Sequence, residues 1–273
     1  PGRPITVHDL LRHTSGLTYG FFGESLVKQA YRQARLDPDA EASPAQFARQ
    51  AASLPLHHQP GTTWDYGVST DVLGRVVEVV GGMPLSQFLR NRILDPLGMK
   101  DTAFYLPEPP RAARLAEPWP DDRVIGVDLT ISQPKRPRAA ESGGGGLVST
   151  ATDYARFLAM LRQGGELDGR RILGPQTIAY MTADHLGTAI ARTPLYLPGP
   201  GYGFGLGFAV RLAAGEASAA GSPGEYYWGG AGGTYFWVDP KADLFVVFMM
   251  QSPRQRAAYR PILRNMIYAA IER

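Results

Sequence analysis

Residues Tyr226 to Met250 read YYWGGAGGTYFWVDPKADLFVVFMM. Aromatic and β-branched side chains gather at Tyr226 to Trp228, Thr234 to Val238 and Leu244 to Met250, the composition of strands, and Asp239-Pro240-Lys241-Ala242-Asp243 supplies a hairpin connection between the last two. Just upstream, Phe204, Leu206, Phe208 and Val210 alternate with Gly205, Gly207 and Ala209. A period of two with bulk on one side only predicts a single strand approached closely on its bare face. Successive strands with short connections pair antiparallel. The unbroken apolar run Leu244 to Met250 predicts a strand covered on both faces, and Tyr259, Ile262, Leu263, Met266, Ile267 and Ala270 mark a closing helix able to cover one of them.

Working back toward the N-terminus, the period changes from two to 3.6. Val72, Leu73, Val76, Val77 and Val80 share one helical face, and Leu85, Phe88, Leu89 and Ile93 another, with Gly81-Gly82-Met83-Pro84 between them. Thr152, Tyr154, Phe157, Leu158 and Leu161 predict a helix capped near Thr150 or Thr152 and ended by Gly164-Gly165; Pro175 to Met181 predicts a shorter one. Thr6-Val7-His8-Asp9 has the spacing of a capping box, opening a short helix that halts at Ser15-Gly16. From Asp95 to Glu141 the text is rich in Pro, Arg and Gly with little period, which predicts long ordered loops. The division expected is a mostly helical lobe over residues 1–140 and a sheet-and-helix lobe over 141–273. Together these make an α/β chain of the α+β kind.

Composition excludes several functions. The 273 residues contain no cysteine, which removes disulfide scaffolds, thiol nucleophiles and Cys-ligated metals. Twenty-eight Lys and Arg against 25 Asp and Glu leave +3, too small and too scattered a surplus for a nucleic-acid or anionic-membrane partner. No apolar run approaches the ~20 residues of a membrane span. Nothing in the text fixes a compartment, and the cytoplasm is the default. The chain opens Pro1-Gly2-Arg3-Pro4, without Met or a leader pattern, and reads as a cut inside a longer chain.

Of the five histidines, His8 and His13 are five apart, His57 and His58 adjacent, and His185 alone, so none forms a helical i, i+4 metal pair; no metal and no cofactor are expected. Gly143 to Gly146 lacks a following Gly-Lys-Ser/Thr and reads as a flexible approach to the next helix rather than a phosphate cradle. The carboxylates between Glu108 and Asp128 read as solvated loop charge rather than a glycosidase pair. Three segments remain: His13-Thr14-Ser15-Gly16-Leu17, Trp64-Asp65-Tyr66-Gly67-Val68-Ser69-Thr70-Asp71, and Trp228-Gly229-Gly230-Ala231-Gly232-Gly233-Thr234. Each alone also reads as a helix cap, an aromatic anchor or a glycine-relaxed strand.

In this order, with Gln59-Pro60-Gly61, Asp95-Pro96-Leu97-Gly98-Met99-Lys100-Asp101-Thr102 and Gly143 to Thr150 beside them, they resemble the serine β-lactamase and penicillin-binding-protein superfamily. The resemblance runs nearly end to end and is nearest to the family VIII carboxylesterases. It implies a β-lactamase/transpeptidase-like fold, an antiparallel sheet flanked by helices plus a mostly helical lobe. In that family a Ser-x-x-Lys motif carries the nucleophile, and its Lys is hydrogen-bonded to a Tyr that Tyr66 matches. Val68 stands where β-lactamases place an Asn. Trp228-Gly229-Gly230 stands in the place of Lys-Thr-Gly, so the pocket offers apolar surface and one N–H donor rather than a cation for an anionic substrate. The Ala231 N–H is the implied oxyanion donor.

The implied Ser-x-x-Lys helix should precede His13 by a few dozen residues, whereas only twelve are present. Two strings fit the letters, Ser25-Leu26-Val27-Lys28 and Ser132-Gln133-Pro134-Lys135; Pro134 opposes a helix in the second, and in the first the structural alternative is an N-capping Ser and a surface Lys. The expectation is therefore an N-terminally truncated chain without its nucleophile, leaving an apolar sheet edge along Leu244 to Met250 that the absent segment or a second copy of the chain would cover. The function expected of the parent is serine carboxylester hydrolysis of short-chain acyl esters through an acyl-enzyme. Catalysis is assigned to Tyr66 and Ala231 and substrate binding to Trp228, Gly229 and Gly230. The alternatives are a β-lactamase or D-Ala-D-Ala carboxypeptidase, and, from another class, a non-catalytic binding module on this fold.

Overall fold

The computed structural model describes residues 1–36, 42–106, 108–117 and 139–271. The N-terminal part contains α1 (Val7–Leu11), α2 (Leu26–Gln33), α3 (Pro44–Ala52), β1 (Thr63–Trp64), α4 (Ser69–Gly81), α5 (Leu85–Leu89) and α6 (Pro109–Ala112). It continues through α7 (Ala151–Arg162), β2 (Glu166–Leu167), β3 (Arg170–Arg171), α8 (Pro175–Met181) and β4 (Ala191–Arg192). Five strands, β5 (Tyr202–Phe204), β6 (Ala209–Arg211), β7 (Tyr226–Gly229), β8 (Tyr235–Asp239) and β9 (Leu244–Phe248), then form one sheet in sequence order, every neighbour antiparallel, before α9 (Arg256–Ala269) closes the chain.

Alternation along β8 sorts the layers. Phe236 and Val238 join the core that α7 builds with Leu158 and Leu161, and Tyr154 of α7 packs its ring 5.3 Å from Phe236. Tyr235 and Trp237 face α9, where Arg264 lies over the Trp237 ring at 4.9 Å and Tyr268 stacks on it at 6.3 Å. One helix thus covers each face, as the period of two requires. Successive β9 residues are all half-buried, and among the described residues this strand pairs only with β8, so it is the sheet edge. Rather than being covered on both faces, it packs against α7 through Phe245 and Val247, which with Ala155 and Ala159 line a shallow groove on that side.

The helix ends follow their capping residues. Thr6 and Asp9 form the reciprocal box that starts α1, and the Thr150 hydroxyl accepts from Asp153 N at 3.2 Å to start α7. Beyond α5 the helix widens into a π turn at Arg90–Leu94, which carries Leu94 into the core beside Leu97 and Met99.

Two further expectations need correction. The alternating run Phe204 to Val210 is two strands: the Gly205 N–H donates to Phe208 O at 2.7 Å, Gly207 takes φ +93°, and the chain reverses between β5 and β6. Alternation persists through the turn because its glycines are small for conformational reasons, so a strand pattern and a turn pattern coincide. The close approach is real, since a Cβ on Gly203 or Gly205 would strike Asp184 or the Met181 carbonyl. Likewise Gly143 to Gly146 is no flexible approach: a Cβ on Gly143 would collide with Thr70 O, and the Gly144 N–H donates to Asp71 Oδ1 at 3.3 Å. The glycines let this segment lie directly on α4.

Among the described residues no single helix is long and apolar enough to cross a membrane.

Candidate active site

Tyr66 is placed by backbone, not by its helix. The two-residue β1 pairs parallel with β4, and fully buried Trp64 stacks on Tyr66 at 6.2 Å. The next residue, Asp65, donates its N–H to His13 O at 3.0 Å. Gly67 then lies so close to Leu17 and Thr18 that any Cβ would meet their backbone atoms. The turn ending α1 and the segment entering α4 therefore dock main chain to main chain. Around the Tyr66 ring stand His13 at 4.8 Å, Tyr19 at 5.4 Å and Trp228 at 5.4 Å.

The second component follows β7. Gly230 N donates to Thr234 O at 2.8 Å and Gly233 N to Gly230 O at 3.2 Å, folding Gly229 to Thr234 into a tight loop; Ser252 N holds it from outside through Gly232 O at 2.8 Å. Ala231 sits exposed at the tip, and its N–H donates to no acceptor among the described residues. Structure thus brings Tyr66 against Trp228, 162 positions away in sequence, with Gly229, Gly230 and Ala231 continuing from Trp228 along the same loop. Phe204 completes an aromatic wall, edge-on to Trp228 at 5.4 Å. Burial pushes the Tyr66 phenol above its ordinary range, and the Trp228 indole N–H and the positive charge of Arg256 pull the other way. The phenol is consequently protonated at neutral pH.

Ser25 and Lys28 are not a reacting pair. The Ser25 hydroxyl caps α2 by accepting from Lys28 N at 3.1 Å, whereas the Lys28 amine turns away to the Phe22 carbonyl. Lys28 is buried, at 5% exposure, rather than on the surface. Ser132 and Lys135, and Asp121, Asp122 and Asp128 of the carboxylate-bearing segment, lie outside the described residues. Of the groups able to hold a metal, His57, His58 and Asp65 have ligand atoms all within 4.8 Å of one another. Sequence spacing missed this grouping because it joins an adjacent pair to a carboxylate on another segment. His57 Nδ1 and Asp65 Oδ2 already share a hydrogen bond at 2.8 Å, which with His57 N–H to Gly16 O at 2.8 Å fastens this loop to the α1 turn.

His13 supplies a testable property of the site's floor. It is buried among Trp64, Tyr66 and Phe204, its Nδ1 has no partner among the described residues, and burial lowers its pKa to about 4 despite Asp65 nearby. Unfolded, it would titrate near 6.5. Between these values the unfolded chain binds the extra proton, so this contribution to stability is complete above pH 6.5 and lost as pH falls toward 4, on the order of 3 kcal/mol in all. Urea midpoints measured from pH 7 to pH 4 should fall steeply, and His13→Gln should flatten that slope.

The beta-lactamase family model matches residues 1–268. Protein Rv1367c of Mycobacterium tuberculosis is 36% identical over 257 residues, covering 91% of this chain and 63% of its own length. The lovastatin esterase of Penicillium rubens is 34% identical over 275 residues, covering 92% of this chain and 65% of its own. The chain therefore spans just under two thirds of these relatives. Among solved structures, EstCE1, a hydrolase with promiscuous acyltransferase activity, superposes with a TM-score of 0.78 at 27% identity, over 95% of this chain and 70% of that one. Matched by the family model along almost its whole length and folded as EstCE1 is, the chain belongs to the beta-lactamase family.

Proposed function

We propose that the full-length protein is a serine carboxylester hydrolase that works through an acyl-enzyme on neutral, short-chain acyl esters. The observation that carries this reading is the contact between Tyr66 and Trp228. Tyr66 is the proton-handling group, and Trp228 makes the wall beside it aromatic where an anion-binding member of the superfamily would present a cation. With Phe204 and Tyr19 flanking the same rings, the cleft suits an apolar acyl chain.

In this scheme the serine oxygen attacks the ester carbonyl and its proton passes through the Tyr66 hydroxyl to the departing alkoxide, leaving an acyl-enzyme and free alcohol. Water, or a second alcohol, then takes the acyl group by the reverse route. The Ala231 N–H donates to the oxyanion in both steps, and Gly229 and Gly230 leave room for the acyl group. The nucleophile and its Lys are assigned to sequence outside these 273 residues: the Ser25 hydroxyl and Lys28 amine face different partners, and Pro134 opposes a helix through Ser132 to Lys135.

The test compares a p-nitrophenyl ester of short chain with a chromogenic cephalosporin on the full-length protein. Ester turnover is expected to exceed cephalosporin turnover by at least ~10²-fold in kcat/KM, the scale of discrimination that one mismatched pocket group gives. Dominant cephalosporin hydrolysis would move the assignment to a β-lactamase, and no turnover of either, with no fluorophosphonate adduct, would make the fold a binding module.

A further inference from the structure

One face of α9 carries Arg256, Arg260 and Arg264, spaced four apart and so stacked along a single stripe. Arg264 is anchored in the buried cluster around Glu225, which seats the helix. The other two reach the loop that bears Ala231. Arg260 Nη2 donates to Gly230 O at 2.7 Å and to Thr234 O at 2.7 Å, bridging the two ends of the loop. Its guanidinium lies over the Tyr235 ring at 5.2 Å, which fixes its plane. Arg256 Nη1 donates to Ala231 O at 2.9 Å. Nothing in the chemistry assigned above uses either guanidinium.

The geometry of one peptide unit gives Arg260 its significance. Gly230 C=O and Ala231 N–H belong to the same trans amide, so the two bonds point in opposite directions within one plane. Holding the oxygen to one side aims the N–H to the other. A guanidinium on the oxygen also draws charge through the amide and strengthens its N–H as a donor, as in any chain of polarised hydrogen bonds. Gly229 makes the approach feasible: a Cβ there would lie 2.6 Å from Arg260 Nη2. A side chain at position 229 would push the guanidinium off the carbonyls it bridges.

We propose that Arg260 is a positioning residue for acyl transfer, which pins the Gly230 carbonyl and thereby aims and polarises the Ala231 N–H as an oxyanion donor. The inference rests on the assignment of Ala231 made above, so the experiment reads the two separately. Gly230-Ala231 is the one Gly-Ala pair in the 273 residues, so with carbonyl-¹³C glycine and ¹⁵N alanine they contribute one labelled amide, and its signal in the full-length protein is the one lost in Ala231→Gly. In the full-length protein, phosphonylation by a fluorophosphonate probe, with loss of fluoride, places a strongly polarised phosphoryl oxygen in the oxyanion position, and the Ala231 amide proton should move downfield. An unmoved proton would overturn the Ala231 assignment and the role of Arg260 with it.

Given that shift, Arg260→Gln should lower kcat for the short-chain ester by about 10²-fold, the loss expected for one misdirected oxyanion donor, with KM changed less than about twofold. The Gly230 carbonyl and Ala231 nitrogen resonances should shift in the unliganded variant. Arg260→Lys, which keeps a cation able to reach one carbonyl, should recover part of the rate. If Arg260→Gln does not fold, Arg260→Lys and rescue of Arg260→Ala by added guanidinium replace it as the readout. Wild-type kcat in a folded variant, or equal loss in KM and kcat without rescue, would overturn the positioning role and leave the Ala231 assignment standing.

Discussion

Tyr66→Phe in the full-length protein is expected to reduce kcat for a short-chain p-nitrophenyl ester by about 10³-fold, within the 10²–10⁴ range of general acid–base catalysis, with little change in KM. The substitution removes one oxygen and leaves the ring, so the contacts with Trp64, His13 and Trp228 survive and folding should be unaltered. What is lost is the hydroxyl through which the proton passes in the proposed mechanism. Because burial keeps the phenol protonated at neutral pH, the proposed mechanism uses it as a proton relay rather than as a standing phenolate. Fluorophosphonate labelling should slow in parallel, since it too requires a deprotonated nucleophile. A variant that labels and turns over at the wild-type rate would remove Tyr66 from the mechanism.

The largest effect on stability should come from Glu225→Gln. Glu225 is fully buried and accepts from Arg211 Nε at 2.7 Å, Tyr202 OH at 2.8 Å and Arg264, with the Tyr268 hydroxyl oxygen 3.1 Å away. The single Tyr268 hydroxyl proton goes to buried Asp239 at 2.6 Å, and both guanidiniums pair with the one Glu225 carboxylate. Neutralising Glu225 leaves Arg211 and Arg264 buried with one carboxylate fewer, at a cost of about 3–5 kcal/mol. The cluster joins β6, β7 and α9, and α9 carries Arg256 and Arg260 to the Ala231 loop. A residual activity measured below the unfolding midpoint should therefore decline as well. An unchanged urea midpoint would show that the cluster contributes nothing to stability.

Secondary structure was legible where a single local rule governs. Thr6 with Asp9 fixed the start of α1, the spacing of Val72, Val76 and Val80 marked α4, and Pro175 opened α8, because capping and period are properties of neighbouring residues. The turn within Phe204 to Val210 was not legible, since its glycines imitate a strand with one bare face. At α2 the N-capping Ser25 was legible but the burial of Lys28 was not: its amine goes to Phe22 O, a contact that no spacing encodes.

At the site, the sequence by itself determined the family and its chemical candidates, because Trp64-Asp65-Tyr66 and Trp228-Gly229-Gly230 are distinctive residue by residue. Tertiary structure alone decided that they meet. Backbone docking of Gly67 on Leu17 and Thr18 aims Tyr66, and pairing of β7 with β8 delivers Trp228 to it. It alone set His13 beneath them without a partner for its Nδ1, and Arg260 behind the Gly230 carbonyl. An arginine on a C-terminal helix reads in sequence as one solvated charge among many. Its role arises only when folding places it 2.7 Å from the oxygen of one particular peptide.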